Sequence, residues 1–246
     1  MQTKLVIHIS RTYGISRRKA AELIKNEYIR VNNEIIKDLT FQVEISRDRI
    51  ECSSIELKSN QKEKTILIFN KPKGFVVSKN PSDKERFPSV YKLIPEEFRT
   101  TFNPVGRLDA DSEGLLLFTN DGEMNFKLTH PSYEIPRTYL IWLNRKIPMH
   151  IIHRIRSEGV VLEDGICKPS LIETGRTSRD AIKIILTGGR KREIRRLFWT
   201  FYLTVERLLR ISYGPFRLGN MKKGEIRFPE TIEMNGLRKI FQLKLD

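Results

Sequence analysis

Apolar residues recur along the chain with two different periods, and the changes of period mark out the elements. Leu5, Val6 and Ile9 have helical spacing, and Gly14 is placed to close that helix in the left-handed conformation. Ser16 suits the N-cap of a second helix, whose apolar face is Ala20, Ala21, Leu23 and Ile24. Ile29-Arg30-Val31 then alternates as a strand, and Asn32-Asn33 can supply the positive φ angles of a tight hairpin turn. A polar, charge-rich stretch over 53–64 reads as a linker. Beyond it, strand-like runs recur at 65–69, 115–119, 137–143, 181–186 and 208–212, with helical segments around 89–94, 123–129, 149–157 and 192–201. Strands and helices without a regular alternation predict an α+β fold. There are no internal repeats and no low-complexity segments.

Composition adds a partner to this picture. The 246 residues allow one large domain or two smaller ones, and 39% hydrophobic with 30% charged residues is an ordinary globular balance. Lys and Arg outnumber Asp and Glu by 45 to 30, a net charge of +15. That excess favours a polyanionic partner, nucleic acid before membrane. Arg17, Arg18 and Lys19 crowd the first turn of the second helix, the end where the helix dipole is already positive, which points to an anionic ligand there; a solvated basic turn is the plainer alternative. Cys52 and Cys167 lie far apart and form no CxxC, which argues against a zinc ribbon or redox pair and fits a reducing compartment. His8, Arg11 and Arg17 break the short apolar patch near the start, so neither a signal peptide nor a membrane span is expected, and the expected location is the cytoplasm.

The densest polar segment is Gly106-Arg107-Leu108-Asp109-Ala110-Asp111-Ser112-Glu113-Gly114, a Gly-bounded turn leading into the apolar run Leu115-Leu116-Leu117. Loops held by a buried strand are where catalytic groups tend to sit. By itself, a turn with three acids is usually only a turn. A divalent-metal site from Asp109, Asp111 and Glu113 is a second functional reading, but the full calcium-loop pattern is missing. His150 and His153 share a helical face with no third ligand in view, so no metal is expected.

Taken together and in order, the motifs carry a resemblance. Gly106-Arg107-Leu108-Asp109 with Ser112-Glu113-Gly114-Leu115-Leu116-Leu117 resembles the catalytic motif of pseudouridine synthases. Asn70-Lys71-Pro72-Lys73-Gly74 resembles that family's first motif, Arg137-Thr138-Tyr139-Leu140 the segment bearing its active-site tyrosine, and Gly189-Arg190-Lys191-Arg192-Glu193-Ile194-Arg195-Arg196-Leu197 its third motif. Leu209-Arg210-Ile211-Ser212-Tyr213-Gly214-Pro215 and Lys223-Gly224-Glu225 resemble its closing segment. Ahead of these, Ser16 to Ile24 and Ile29-Arg30-Val31-Asn32 resemble an S4 RNA-binding domain, with Asn33 where the family usually has Gly and Ile7 where a Lys is common.

The resemblance implies a small S4-like RNA-binding domain with its linker over 1–60, then a catalytic domain over 61–246 built on a mixed, mainly antiparallel sheet. It implies conversion of uridine to pseudouridine in ribosomal RNA without a cofactor, on free RNA or a ribosomal precursor particle, by a monomer. Asp109 stands at the position of the catalytic carboxylate, Arg195 at that of the arginine pairing with it, and Tyr139 at that of the tyrosine stacking on the uracil. Leu108 and Ile194 would wall the pocket. Arg107 would fill the space left by the flipped base or hold the backbone phosphate, and Lys71, Lys73, Lys191, Arg192 and Arg196 would be phosphate contacts. In the first domain Arg17, Arg18, Lys19 and Arg30 are the candidates. Glu193, where many relatives have Gln, and His130-Pro131-Ser132-Tyr133-Glu134 lean toward the branch acting on large-subunit RNA. Among its arginines, Glu193 would hold a guanidinium and reposition Arg192 or Arg196; a structural Glu-Arg pair on one helix face, without a specificity role, is the plainer alternative. The alternatives are a small-subunit (16S) target, a ribosome-assembly factor that binds RNA without chemistry, and a metal-dependent nuclease.

Overall fold

A computed structural model describes residues 2–13, 15, 17–52, 64–79, 86–175 and 181–242. Gly14, Ser16 and nearly all of the expected linker lie outside the described residues. The chain divides into two compact units, Met1–Lys64 and Thr65–Asp246.

The first unit runs β1 (Gln2–Lys4), α1 (Leu5–Thr12), α2 (Arg17–Lys25), β2 (Ile29–Val31), β3 (Glu34–Ile35), β4 (Gln42–Glu44) and β5 (Ile50–Cys52). β1 pairs with β4, and β2 is the centre of a three-stranded sheet. Its core gathers Leu5 and Ile9 from α1, Ala20, Leu23 and Ile24 from α2, and Ile29 and Val31 from β2; Ala21 is only half-buried. The hairpin turn is Asn32-Asn33, at φ 52° and 71°. Asn32 is suited to it twice over, because its side-chain oxygen accepts from the Arg49 backbone N–H and its amide donates to Asp48, both at 2.9 Å. Arg17, Arg18, Lys19 and Arg30 are all exposed. Glu22 lies 3.6 Å from Arg18 and 3.5 Å from Lys19, one turn along α2, so part of the charge crowding is answered within the helix.

The second unit runs β6 (Ile66–Lys71), α3 (Glu96–Arg99), β7 (Asn103–Pro104), β8 (Glu113–Thr119), α4 (Gly122–Thr129), β9 (Arg137–Leu143), α5 (Met149–Ser157), β10 (Val160–Leu162), β11 (Gly165–Cys167), β12 (Leu171–Glu173), β13 (Ile182–Leu186), α6 (Glu193–Trp199), β14 (Val205–Tyr213), β15 (Phe216–Arg217), β16 (Ile226–Arg227) and α7 (Thr231–Gln242). A nine-stranded sheet has the order β12-β13-β9-β14-β8-β6-β16, with β15 on β14 and β7 on β8. Its pairs are antiparallel except β14 with β8, which are parallel. The unbroken apolar runs of β6 and β8 follow from burial on both faces. Leu67, Phe69, Leu116 and Phe118 enter one core, and Ile66, Ile68, Leu115 and Leu117 the other. Residues 89–94, read as helical, form only a 3-10 turn over Val90–Leu93 capped by Ser89. The helix α7 was not anticipated; Met234, Leu237, Ile240 and Phe241 lay one face of it on the second core.

Candidate active site

The segment between β7 and β8 crosses the end of the sheet as a pinned loop. The Val105 N–H donates to the Leu117 carbonyl at 2.8 Å, the Ser112 N–H to Asp109 at 3.0 Å, and the Gly74 N–H to Ala110 at 2.7 Å. The main fastening is Lys71, the last residue of β6. Its side chain is wholly buried, and its ammonium donates to the carbonyls of Ser112 at 2.8 Å and of Asp109 and Pro72 at 3.1 Å. Burial brings its pKa down from 10.5 to about 8, against the raising influence of Asp109, Asp111 and Glu113. Lys71 is therefore not a phosphate contact: no surface of it is available, and its charge is spent on the loop backbone.

The three acids of the loop go different ways. Asp109 is the one that lines a cleft of about 310 Å³. Asp111 lies 3.2 Å from the Arg195 guanidinium and 3.3 Å from that of Arg192. Glu113 is buried and held by Arg207 and, at 2.8 Å, by Lys223. Burial works to raise the Glu113 pKa, but the bonds from Lys223 and Arg207 outweigh it and keep the carboxyl below its ordinary value. A cation-binding triad of these acids is not assembled, because each faces its own basic partners.

The cleft gathers Arg107, Leu108, Asp109, Tyr139, Lys191, Arg192, Ile194 and Arg195. Lys73 is exposed but does not line it, and Arg196 is engaged elsewhere, 2.7 Å from Asp164. Leu108 and Ile194 are apolar walls with 7% and 5% of their surface exposed, and Tyr139 keeps 9%. Tyr139 sits on β9 directly across from Arg210 of β14, which also lines the cleft. Seven basic side chains face two carboxylates there, Asp109 and Glu193, so the cleft attracts anions.

Two arginine placements differ from expectation. Arg195 is paired with Asp111, not Asp109; it also donates to the carbonyls of Asp111 at 3.2 Å and Val205 at 2.8 Å. These bonds fix it between the loop and β14, and Asp111 is nearer because the turn at Ser112 carries residue 111 toward α6. Burial lowers the Arg195 pKa, and Asp111 acts against that. The cation paired with the Asp109 carboxylate is Arg192, at 3.8 Å. Glu193 does hold a guanidinium, but that of Arg190, with bonds of 2.6 and 2.8 Å. It does so because Arg192 takes a left-handed conformation, φ 49°, and turns the chain so that the Arg190 N–H also meets Glu193.

The pattern of charges did not single out Arg137 or Arg210, both almost fully buried cleft residues. Arg137 donates to the carbonyls of Thr187 and Gly188 at 2.7 and 2.6 Å and to the Tyr213 hydroxyl at 2.8 Å. Arg210 donates to the Leu115 carbonyl at 2.7 Å. The available signal was a single cation inside each strand run.

Comparisons with known proteins converge. Residues 65–199 match the family model described as RNA pseudouridylate synthase, and residues 8–50 match the S4 domain. A protein of Aquifex aeolicus named as an uncharacterized RNA pseudouridine synthase is 33% identical over 99% of this chain and 97% of its own length. One of Bacillus subtilis named ribosomal large subunit pseudouridine synthase B is 35% identical over 92% of this chain and 91% of its own. A crystal structure of a pseudouridylate synthase superposes with a TM-score of 0.66 at 24% identity, covering 95% of this chain and 99% of that one. That likeness establishes the same fold.

Proposed function

Since this chain belongs to the RNA pseudouridylate synthase family, we propose that it isomerises a uridine of large-subunit (23S) ribosomal RNA, with Asp109 as the catalytic carboxylate. The observation carrying the proposal is the Asp109 side chain in a basic cleft, on a loop fastened by Lys71, with Tyr139 in the same cavity. The isomerisation breaks the bond from the ribose C1′ to N1 and makes one from C1′ to C5. C5 loses a proton and N1 gains one, so the reaction balances with no added reagent. It requires a carboxylate beside ribose and base, which Asp109 supplies. Tyr139 stacks on the uracil and supplies a hydroxyl that can move a proton. Leu108 and Ile194 wall the pocket and keep water away from the base.

A cavity of about 310 Å³ has the size of a small-molecule site. A base stacked inside a helix cannot reach such a cleft, so the target base enters alone after flipping out, which costs a few kcal/mol. Arg107, exposed at the cleft, takes the vacated place or holds the phosphate, and Lys191 and Arg192 hold the backbone nearby. Arg195 acts through Asp111 and Asp109 as a positioning group. Residues 1–60 serve as the RNA-gripping arm and 61–246 as the catalytic body, working as a monomer in the cytoplasm. The Bacillus subtilis relative's name supports the large-subunit target; a repositioning of Arg192 or Arg196 by Glu193 does not, because Glu193 holds Arg190.

The test maps pseudouridine in each ribosomal RNA after incubation with the purified protein. Asp109→Asn, nearly isosteric, is expected to bind RNA and form no product, while Asp111→Asn is expected to retain slower turnover. Wild-type turnover by Asp109→Asn would reject the assignment, and product confined to small-subunit RNA would reject the target.

A further inference from the structure

A second cavity, of about 240 Å³, lies against α6 and is lined by Trp199, Leu203 and Val205 together with Arg192, Arg195 and Arg196. Arg192 and Arg195 also line the first cleft, so the two cavities share a wall. Trp199 ends α6 with 66% of its surface exposed, and Tyr202, three residues on, keeps 79% exposed. Large aromatic side chains so placed give up burial they would gain in a core.

Tyr202 departs further from the ordinary. Its φ is 55°, the left-handed region, where a glycine would sit without strain. The turn is held by its N–H on the Trp199 carbonyl at 2.9 Å and by the Arg145 guanidinium on its own carbonyl at 3.1 Å. A strained backbone is thus maintained with a phenol ring on the surface, in the turn that follows the exposed Trp199; Tyr202 itself does not line the cavity. The lining of the cavity holds three arginines and no carboxylate, although each is tied to an acid outside it, Arg196 to Asp164 and Arg192 and Arg195 to Asp111.

We propose that this second cavity, with Trp199 and Tyr202, is a stacking site for an unpaired base of the substrate RNA close to the flipped uridine. The occupant is a single-stranded nucleotide for two reasons. Stacking on an exposed aromatic is indifferent to base identity, and arginines alongside suit the phosphate. The wall shared with the candidate active cleft puts the site on the path of a strand already engaged there. The inference rests on the RNA-modifying reading above and adds to it a gripping point outside the reacting cavity.

The test uses the full-length protein and a short single-stranded oligoadenylate, with a blunt RNA duplex of equal length for comparison. Trp142 and Trp199 are the two tryptophans, and Trp142 lies under Arg207, so indole fluorescence reports Trp199 once Trp142→Phe is made in every variant. The single strand is expected to quench the signal and the duplex to quench it little. Trp199→Ala is expected to weaken oligoadenylate binding about tenfold, measured by anisotropy of a labelled strand, and Trp199→Phe to restore it. Tyr202→Gly is expected to weaken binding while raising the melting temperature, since the strain goes with the ring. With ribosomal RNA, the Trp199→Ala loss is expected in KM rather than kcat.

Unchanged binding by Trp199→Ala and Tyr202→Gly overturns the proposal. So does a concentration-dependent dimer that Trp199→Ala abolishes without touching RNA affinity, which assigns the face to a second copy. A wild type that binds oligoadenylate through Trp199 but makes no pseudouridine overturns the catalytic reading and leaves this site standing.

Discussion

Lys71 shows how one side chain governs a loop. Its ammonium has three hydrogens and meets three carbonyls, on Pro72, Asp109 and Ser112; a neutral amine has only two to give. Lys71→Met is expected to keep the volume and lose all three bonds. The loop then loosens, and pseudouridine formation falls by about 100-fold, the loss that small misplacements of reacting groups cause. The same residue carries a pH signature. Its pKa is about 8 in the folded chain against an ordinary 10.5, so between those values the unfolded chain binds more protons. This group's contribution to stability therefore rises as pH climbs from about 8 to about 10.5, by at most about 3 kcal/mol. Urea unfolding of wild type and Lys71→Met across that range checks it: the difference between the two curves climbs with pH, and a flat difference refutes the assigned pKa. From the sequence, Lys71 reads as a phosphate contact, and the error has a physical source. It ends an all-buried strand, and nothing local announces that three carbonyls converge on it where the next lysine, Lys73, is exposed. The place of Asp109, Tyr139 and Arg107 in one cleft was legible because ordered motifs marked them. The swap of Asp111 for Asp109 at Arg195 was not, since it depends on which way a turn faces.

Among the elements, the parallel contact of β8 with β14 joins the loop bearing Asp109 to the strand bearing Arg210. Gly114, at φ 103°, makes it possible: a Cβ there would run into the Arg210 carbonyl oxygen and lie 2.9 Å from its nitrogen and 2.8 Å from Leu209 Cδ1. The obstacle is mostly backbone, which cannot step aside. Gly114→Ala is expected to cost about 3 kcal/mol or more and lower the melting temperature by about 10 °C. Gly122→Ala, whose Cβ meets nothing within 4 Å, should barely shift it. Thermal scans by circular dichroism decide, and equal shifts would show that the close approach does not matter. Elements with strong periods were legible to within a few residues: β9 and α5 match their expected bounds, β8 and β13 differ by two residues and one residue at one end, and β6 by one and two residues at its two ends. Short strands such as β10 to β12 escaped because three residues carry too little pattern. The helix α7 escaped because Gly236 interrupts its middle. That glycine is there for Pro215, whose ring would stand 2.8 Å from a Cβ.

At the scale of the molecule, each unit carries its own core. Leu5, Ile9, Leu23 and Ile24 belong to one of them, and the two clusters on either face of the large sheet belong to the other. A unit with a complete core can fold without its neighbour. A chain lacking residues 1–60 is therefore expected to unfold cooperatively, with near wild-type kcat on saturating RNA, because Asp109, Tyr139 and Lys71 all remain. What it loses is grip. Arg17, Arg18, Lys19 and Arg30 are exposed, and phosphate contacts of this kind release counterions, so binding weakens as salt rises. If all four engage phosphate, their removal should make the slope of log affinity against log salt shallower by about 3. The measurement is filter binding of a ribosomal RNA fragment to both proteins over a salt series. A lower affinity with an unchanged slope would mean that the first unit contributes contacts of another kind. Unchanged affinity and slope together would show that it does not hold this RNA at all, and that the basic cleft of the second unit supplies the binding.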